Sequence, residues 1–425
     1  MSKITNPTLV PELRFPEFTG KWNKEELGQL SKILRGGSPR PIDDFLTKDK
    51  SALNWLKIGD VDKDAKYISM TQERVKVEAL SKTRVVNSGD LIMSNSMSFG
   101  RPYIMKIQSC IHDGWIAVTD VSQSIDVNYL YYLILSDASQ RYFLNSAAGG
   151  GIKNLNADII KKTPVFYAEN IKEQKKIADC LSSMDDLITK SIKKLESLKS
   201  HKKGLMQRLF PAEGKCVPEL RFPEFTGKWN EIELGQLSTI LRGGSPRPID
   251  NFLTKDKKAL NWLKIGDVDK DAKYISMTQE RVKAEALSKT RVVNSGDLIM
   301  SNSMSFGRPY IMKIQSCIHD GWIAVTDVSQ SIDVNYLYYF ILSDASQSYF
   351  VNSAAGGGIK NLNADIIKKT PVFYAEDIKE QKKIADTLSS IDDLITENIK
   401  NLESLKSHKK GLMQKLFPGM KEPIA

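Results

Sequence analysis

Residues Pro11–Pro211 realign on Pro218–Pro418 at a constant offset of 207 without a gap, and about 185 of the roughly 201 aligned positions are identical. Solenoid repeats have periods of about 20–50 residues. A unit of this length is instead a whole domain plus a connector, present twice. The two halves must therefore share one fold and one activity.

Each unit divides by pattern into two parts. The first, to about residue 168, alternates short apolar runs with turn residues. Trp55–Ile58, Asp90–Met93, Tyr103–Ile107 and Trp115–Val118, bounded by Gly59-Asp60, Ser88-Gly89 and Asp113-Gly114, read as short strands. Asn128–Asn145 and Asn156–Lys162 read as helices. The expected class is α/β or α+β. The second part, Glu169–Phe210, has no Gly or Pro before Gly204. Its apolar residues Ile177, Leu181, Met184, Ile188, Leu195, Leu198, Leu205 and Leu209 fall on heptad a and d positions, broken only by Ser191 and Lys202. The second copy repeats the seam with Ile384, Leu388, Ile391, Ile395, Leu402, Leu405, Leu412 and Leu416. Such spacing predicts a coiled coil. The alternative is one amphipathic helix packed on its own domain. About 38 residues at ~1.5 Å each make roughly 57 Å, longer than a domain of this size is wide.

The connector Ala212–Val217 is only six residues long. It spans about 20 Å and cannot return along a helix of roughly 57 Å. If the two long helices pair, they must pair antiparallel. The expected whole is two like globular domains with a long antiparallel two-helix coiled coil between them, related by a pseudo-two-fold axis.

The charge balance fits an anionic partner. Lys and Arg total 61 against 51 Asp and Glu, a net charge of +10, and nucleic acid is the usual ligand of a basic surface, though a surplus of surface lysine gives the same number. Hydrophobic content is 41%, with no run of 18 apolar residues for a membrane span and no secretory pattern in Met1–Val10. A cytoplasmic location and no membrane partner are expected. The four cysteines form no Cys-x-x-Cys pair: Cys110 and Cys317 are equivalent, Cys180 is Thr387 in the second copy, and Cys216 lies in the connector. No metal site is expected.

Two like readers related by a two-fold match a two-fold symmetric ligand, and duplex DNA with an inverted repeat is one. Roughly 57 Å corresponds to about 17 base pairs at most. Three loops carry suitable chemistry. In the first, Arg35 and Arg40 flank Gly36-Gly37-Ser38-Pro39, where small residues let amides approach phosphate and arginine can pair with phosphate or guanine. A second, Ser94-Asn95-Ser96 through Arg101, offers hydroxyl and amide groups. Ala147–Asn156 is the third, with Lys153 and Asn154 leading into a helix N-terminus. The second copy places Arg242, Ser245, Arg247, Ser301, Asn302, Ser303, Arg308, Lys360 and Asn361 at the same positions. A turn with solvated polar residues is the plainer reading of any one of these loops.

Several segments resemble a known family. Ile171–Asp179, continuing through Leu181–Ile188, is similar to the entry into the helical region of type I restriction-modification specificity subunits. Gly36-Gly37-Ser38-Pro39 resembles the Gly-Gly-Thr-Pro element of their target-recognition domains. Trp55–Asp60, Gly89–Ser94 and Gly151–Asn156 are similar to the same pattern, and all recur 207 residues later. The resemblance implies target-recognition domains at 1–168 and 212–375 and helical conserved regions at 169–211 and 376–425. It adds Lys57 and Lys264 to the expected DNA contacts. It further implies that double-stranded DNA is read as a bipartite sequence, with the helices setting the spacing. The implied partners are two adenine-specific methyltransferase subunits and two restriction and translocase subunits. S-adenosylmethionine, ATP and magnesium would belong to those partners, and no cofactor to this chain. Family members usually carry two unlike recognition domains; here they are nearly the same, which implies an inverted-repeat target.

No catalytic apparatus is recognisable. The phosphate loop Gly-x-x-x-x-Gly-Lys-Ser/Thr is absent, as is the Asn/Asp-Pro-Pro-Tyr/Phe motif of an adenine methyltransferase. Asp60 and Asp62 lack the lysine and further acid of a nuclease cluster; Asp60 is expected to cap a turn and Asp186 to face solvent. Two other readings remain open: a coiled-coil scaffold without DNA specificity, and a DNA-modifying enzyme with an unrecognised site.

Overall fold

The computed structural model describes residues 9–62, 64–95, 100–147, 155–302, 307–354 and 362–419. Each repeat is a mixed α/β domain followed by a helix of 39 residues, Ile171–Leu209 in the first and Ile378–Leu416 in the second.

The domain core follows from two-residue alternation in its strands. One five-stranded sheet runs in the order Lys32–Arg35, Trp115–Thr119, Leu91–Ser94, Pro102–Met105, Tyr67–Ile68, antiparallel except for its last pair. Leu91 and Met93, with Ile116 and Val118, point to the helices Val127–Leu135 and Asp137–Ser146. Ile92, Trp115 and Ala117 point the other way, onto Leu56, Val86 and Ile111 of a second five-stranded sheet. That sheet has the order Leu46–Thr47, Glu73–Val75, Leu53–Leu56, Ser109–Ile111, Arg84–Val86. Its far face buries Trp55, Val75 and Cys110 beneath Ala79. The first sheet is thus covered on both faces, which is why its strands read as continuous apolar runs. A two-stranded ribbon, Trp22–Glu26 against Pro164–Ala168, closes the domain beside the long helix.

The predicted helix Asn128–Asn145 is two helices. Ser136 is extended (φ −62°, ψ 150°); it ends one helix, and its hydroxyl accepts from Ser139 N to begin the next. The same hydroxyl donates to Leu133 O at 2.6 Å. Serine competes for backbone groups in this way, and its mid-run position marks the break.

Contacts divide the chain into two compact units: residues up to Ile192 with those from Lys400 onward, and Lys193–Ile399. In the first unit Ile177 and Leu181 share a core with Leu416 and Phe417, while Asp185 pairs with Lys409. Advancing along one helix retreats along the other, so the segments are antiparallel. The second unit repeats this: Leu209 and Phe210 lie with Ile384 and Leu388, and Lys202 pairs with Asp392 at 2.6 Å. The seam residues Met184, Ile188, Leu195, Leu198, Leu205, Ile395, Leu405 and Leu412 are half-buried, and Ile391 and Leu402 are buried. Ser191 and Lys202, which interrupt the apolar pattern, do not open the seam to solvent. Ser191 is 6% exposed, and Lys202 is held by Asp392. Among the described residues no helix is long and apolar enough to cross a membrane.

Candidate nucleic-acid interface

The loop leaving strand Lys32–Arg35 lies against the turn His112–Gly114. Gly36 N donates to Trp115 O (2.8 Å) and Gly37 N to Ile111 O (3.1 Å). A Cβ on Gly36 would stand 2.2 Å from His112 O, so only glycine permits this approach. The approach gathers polar side chains on Asp113. Arg35 Nε donates to its carbonyl at 3.1 Å. Ser38 Oγ donates to Oδ1 at 2.9 Å and accepts from the Asp113 amide at 3.2 Å. Arg40 Nη2 lies 3.7 Å from Oδ2. From the opposite side Asn95 Nδ2 donates to Asp113 O at 3.0 Å, and Asn95 O accepts from Leu155 N at 3.1 Å, where the glycine-rich loop ends. Among the described residues, Arg35, Ser38, Arg40 and Asn95 therefore meet at the Asp113 turn, and Leu155 is joined to it through Asn95.

The second copy repeats the cluster. Arg242 Nε lies 3.1 Å from Asp320 O, Ser245 Oγ 2.9 Å from Asp320 Oδ1, Arg247 Nη2 3.5 Å from Asp320 Oδ2 and Asn302 Nδ2 3.1 Å from Asp320 O. Partial burial raises the Asp320 carboxyl, but the Ser245 hydroxyl, His319, Arg242 and Arg247 outweigh it and hold the group below its ordinary value. A cleft of about 350 Å³ opens beside it, bounded by Ser245, Arg247, Trp262, Lys264, Glu280 and His319.

The expected residues separate into two kinds. Arg35, Arg40, Arg242 and Arg247 are exposed, with Arg40 and Arg247 at 83%. A guanidinium held at one nitrogen still offers a donor fork to phosphate or to a base edge. Lys57 and Lys264 are half-exposed and engaged by Glu73 and Glu280 at 2.6 and 2.8 Å. The Glu73 hydrogen bond raises the Lys57 ammonium above its ordinary value. Asp60, as expected of a capping residue, accepts from Lys57 N at 3.0 Å. By contrast Ser94 and Ser301 (1% and 0% exposed) and Asn95 and Asn302 (4%) lie inside the domain. The two asparagines tie the loops together there rather than face outward. Arg101 and Arg308 are half-exposed and lie over Tyr103 and Tyr310 at 5.8 and 5.9 Å; their Nε atoms have no hydrogen-bond partner among the described residues. Ser96, Ser303, Lys153, Asn154, Lys360 and Asn361 lie outside the described residues.

Asp113 and His112, with Asp320 and His319, were not predicted as site residues. In sequence, Asp113-Gly114 signals only a turn. Ser38 and Arg35, which converge on it, are 75 and 78 positions away. His112 accepts from Gly114 N at 2.9 Å and packs edge-on against Trp55. Among the described residues no three metal-ligating side chains cluster.

A family model described as the type I restriction modification DNA specificity domain matches residues 19–199 and again 226–404. A putative type I restriction enzyme MjaX specificity subunit from Methanocaldococcus jannaschii is 25% identical over 439 residues, covering 95% of this chain and 94% of that protein. The crystal structure of a type I restriction-modification S subunit from M. genitalium superposes with a TM-score of 0.60 at 16% identity, covering 97% of this chain and all of that one. A chain from a structural study of type I system assembly and conformational transition gives 0.59 at 15% identity, covering 95% and 99%.

Proposed function

Because the chain belongs to the type I restriction-modification DNA specificity family and carries its domain twice, we propose that it reads duplex DNA as an inverted repeat, one half-site per globular domain. The observation that carries this reading is the duplicated cluster on Asp113 and Asp320. Each presents two exposed arginines beside a carboxylate. The arginines supply phosphate contacts and forks for guanine, and the carboxylate accepts from a cytosine or adenine amino group. All of these residues are the same in the two copies, so the two half-sites are the same sequence in opposite orientation. The long helices set the gap between them and dock two methyltransferase subunits, with two restriction and translocase subunits completing the assembly. S-adenosylmethionine, ATP and magnesium belong to those partners, and this chain contributes recognition.

Selection by the full chain from a random duplex pool tests the reading. The expected result is a bipartite sequence with like half-sites and affinity that falls steeply with salt. Recovery of no sequence, with or without methyltransferase subunits, would leave the scaffold reading in its place.

A further inference from the structure

A tyrosine on the helix Val127–Leu135 is the meeting point of four elements. Tyr132 donates to Asp185 on the first long helix at 2.7 Å. Asp185 also pairs with Lys409 of the second long helix. Lys409 lies 5.5 Å from the Tyr132 ring centroid, and Lys66, at the edge of the first sheet, lies 4.7 Å from it. Lys66 further donates to Ser182 at 3.1 Å and sits 5.2 and 5.3 Å from the rings of Tyr67 and Tyr131. The second unit has the same node: Tyr339 to Asp392 at 2.7 Å, Lys202 to Asp392 at 2.6 Å, and Lys202 and Lys273 at 5.3 and 4.6 Å from the Tyr339 ring. Sheet, helix pair and domain helix are thus pinned together by directional contacts. Arg14 and Trp22 on Glu173 tie the domain to the first long helix near its start, but apolar packing alone would let it roll against the second, since such packing carries little orientational preference. A hydroxyl shared with a helix-to-helix ion pair does not.

We infer that Asp185 and Asp392 are positioning residues for the gap between half-sites, each holding its globular domain at one angle on its helix pair. The inference rests on the function proposed above. Adding one base pair to the gap moves a half-site about 3.4 Å along the duplex and turns it roughly 35° around the axis. A domain held at one angle cannot follow that rotation, whereas a loosened one can.

The test compares duplex selection by the intact chain and by Asp185→Ala with Asp392→Ala. The bases of each half-site should be unchanged in the variant. The share of selected sequences with a gap one pair longer or shorter should rise about tenfold. A folded variant that keeps the wild-type gap distribution would overturn the inference. If the alanine variant does not fold, Tyr132→Phe with Tyr339→Phe removes one hydroxyl per node and keeps the rings, and is read in the same way. A wild-type chain that selects no sequence refutes the proposed function and this inference with it; a sharp wild-type gap that persists in the variants refutes the inference alone.

Discussion

Glu173 is a carboxylate almost removed from water, with its side chain 1% exposed. Arg14 meets it through Nε at 2.7 Å and Nη2 at 2.8 Å, and Trp22 Nε1 adds a third donor at 3.3 Å. Removing one partner of such a pair strands a buried charge, at a cost of about 3–5 kcal/mol. Arg14→Ala should therefore lower the urea midpoint of the transition that involves the first unit and leave the equivalent pair, Arg221 with Glu380, in place. Arg35 and Arg242 are the opposite case: exposed and held by a single carbonyl each, so their loss costs little stability. Arg35→Ala with Arg242→Ala should weaken DNA binding at least tenfold, and the slope of log affinity against log salt should shrink by about two if both arginines meet phosphate. A slope equal to wild type would assign them to bases or to no contact. At this scale the sequence was only partly readable. The arginines stood out because chemistry follows residue type. The hub at Asp113 did not, because Ser38 and Arg35 reach it from 75 and 78 positions away, and the inward turn of Asn95 did not, because its partners Asp113 and Leu155 belong to other loops.

Elements were the most legible level. Runs such as Leu91–Ser94 and Trp115–Thr119 emerged within a residue or two, since burial on both faces makes them apolar up to their last residue. The break at Ser136 went unread although Ser136 followed by Asp137 is a helix-start signal, because apolar residues resume at Tyr142, Phe143 and Leu144 beyond it. The heptad located both long helices, but it marked Ser191 and Lys202 as gaps in the seam. A lysine stem can follow an apolar seam and carry its ammonium to a partner, and Asp392 is that partner. Proline in a helix interior costs about 3 kcal/mol or more. Leu195→Pro, within Ile171–Leu209, should lower helix content by circular dichroism while the β-rich domains retain their slow-exchanging amides. Duplex selection should then return the half-site bases with no defined gap. A retained gap would show that the helix is not the spacer.

For the whole molecule the repeat itself was the strongest signal, and it carried the fold from one half to the other. The short connector, which allows only antiparallel pairing, already implied that each compact unit is completed by the far end of the other repeat's helix, as the contacts show. That exchange rests on contacts such as Asp185 with Lys409, 224 positions apart. The differences between copies spare the clustered arginines: Asp44 becomes Asn251 and Arg141 becomes Ser348, while Arg35, Ser38 and Arg40 recur unchanged. Sequencing of methylated adenines in a host carrying the complete system should accordingly give one palindromic bipartite motif. Two unlike half-sites would mean that those few differences reach the bases.

One hydrogen bond is made twice under unlike circumstances. Leu220 N donates to Arg208 O at 2.8 Å, where helix end and domain entry are joined by the exposed connector, and Leu13 N donates to Lys415 O at 2.8 Å, where no peptide joins them. The anchorage of a helix end thus does not depend on covalent continuity. Proteolytic nicking at Gly214 should leave two fragments that co-elute in gel filtration without denaturant, because each already holds a piece of its counterpart's hydrophobic interior. Fragments that drift apart would reveal the connector as a tether rather than a thread.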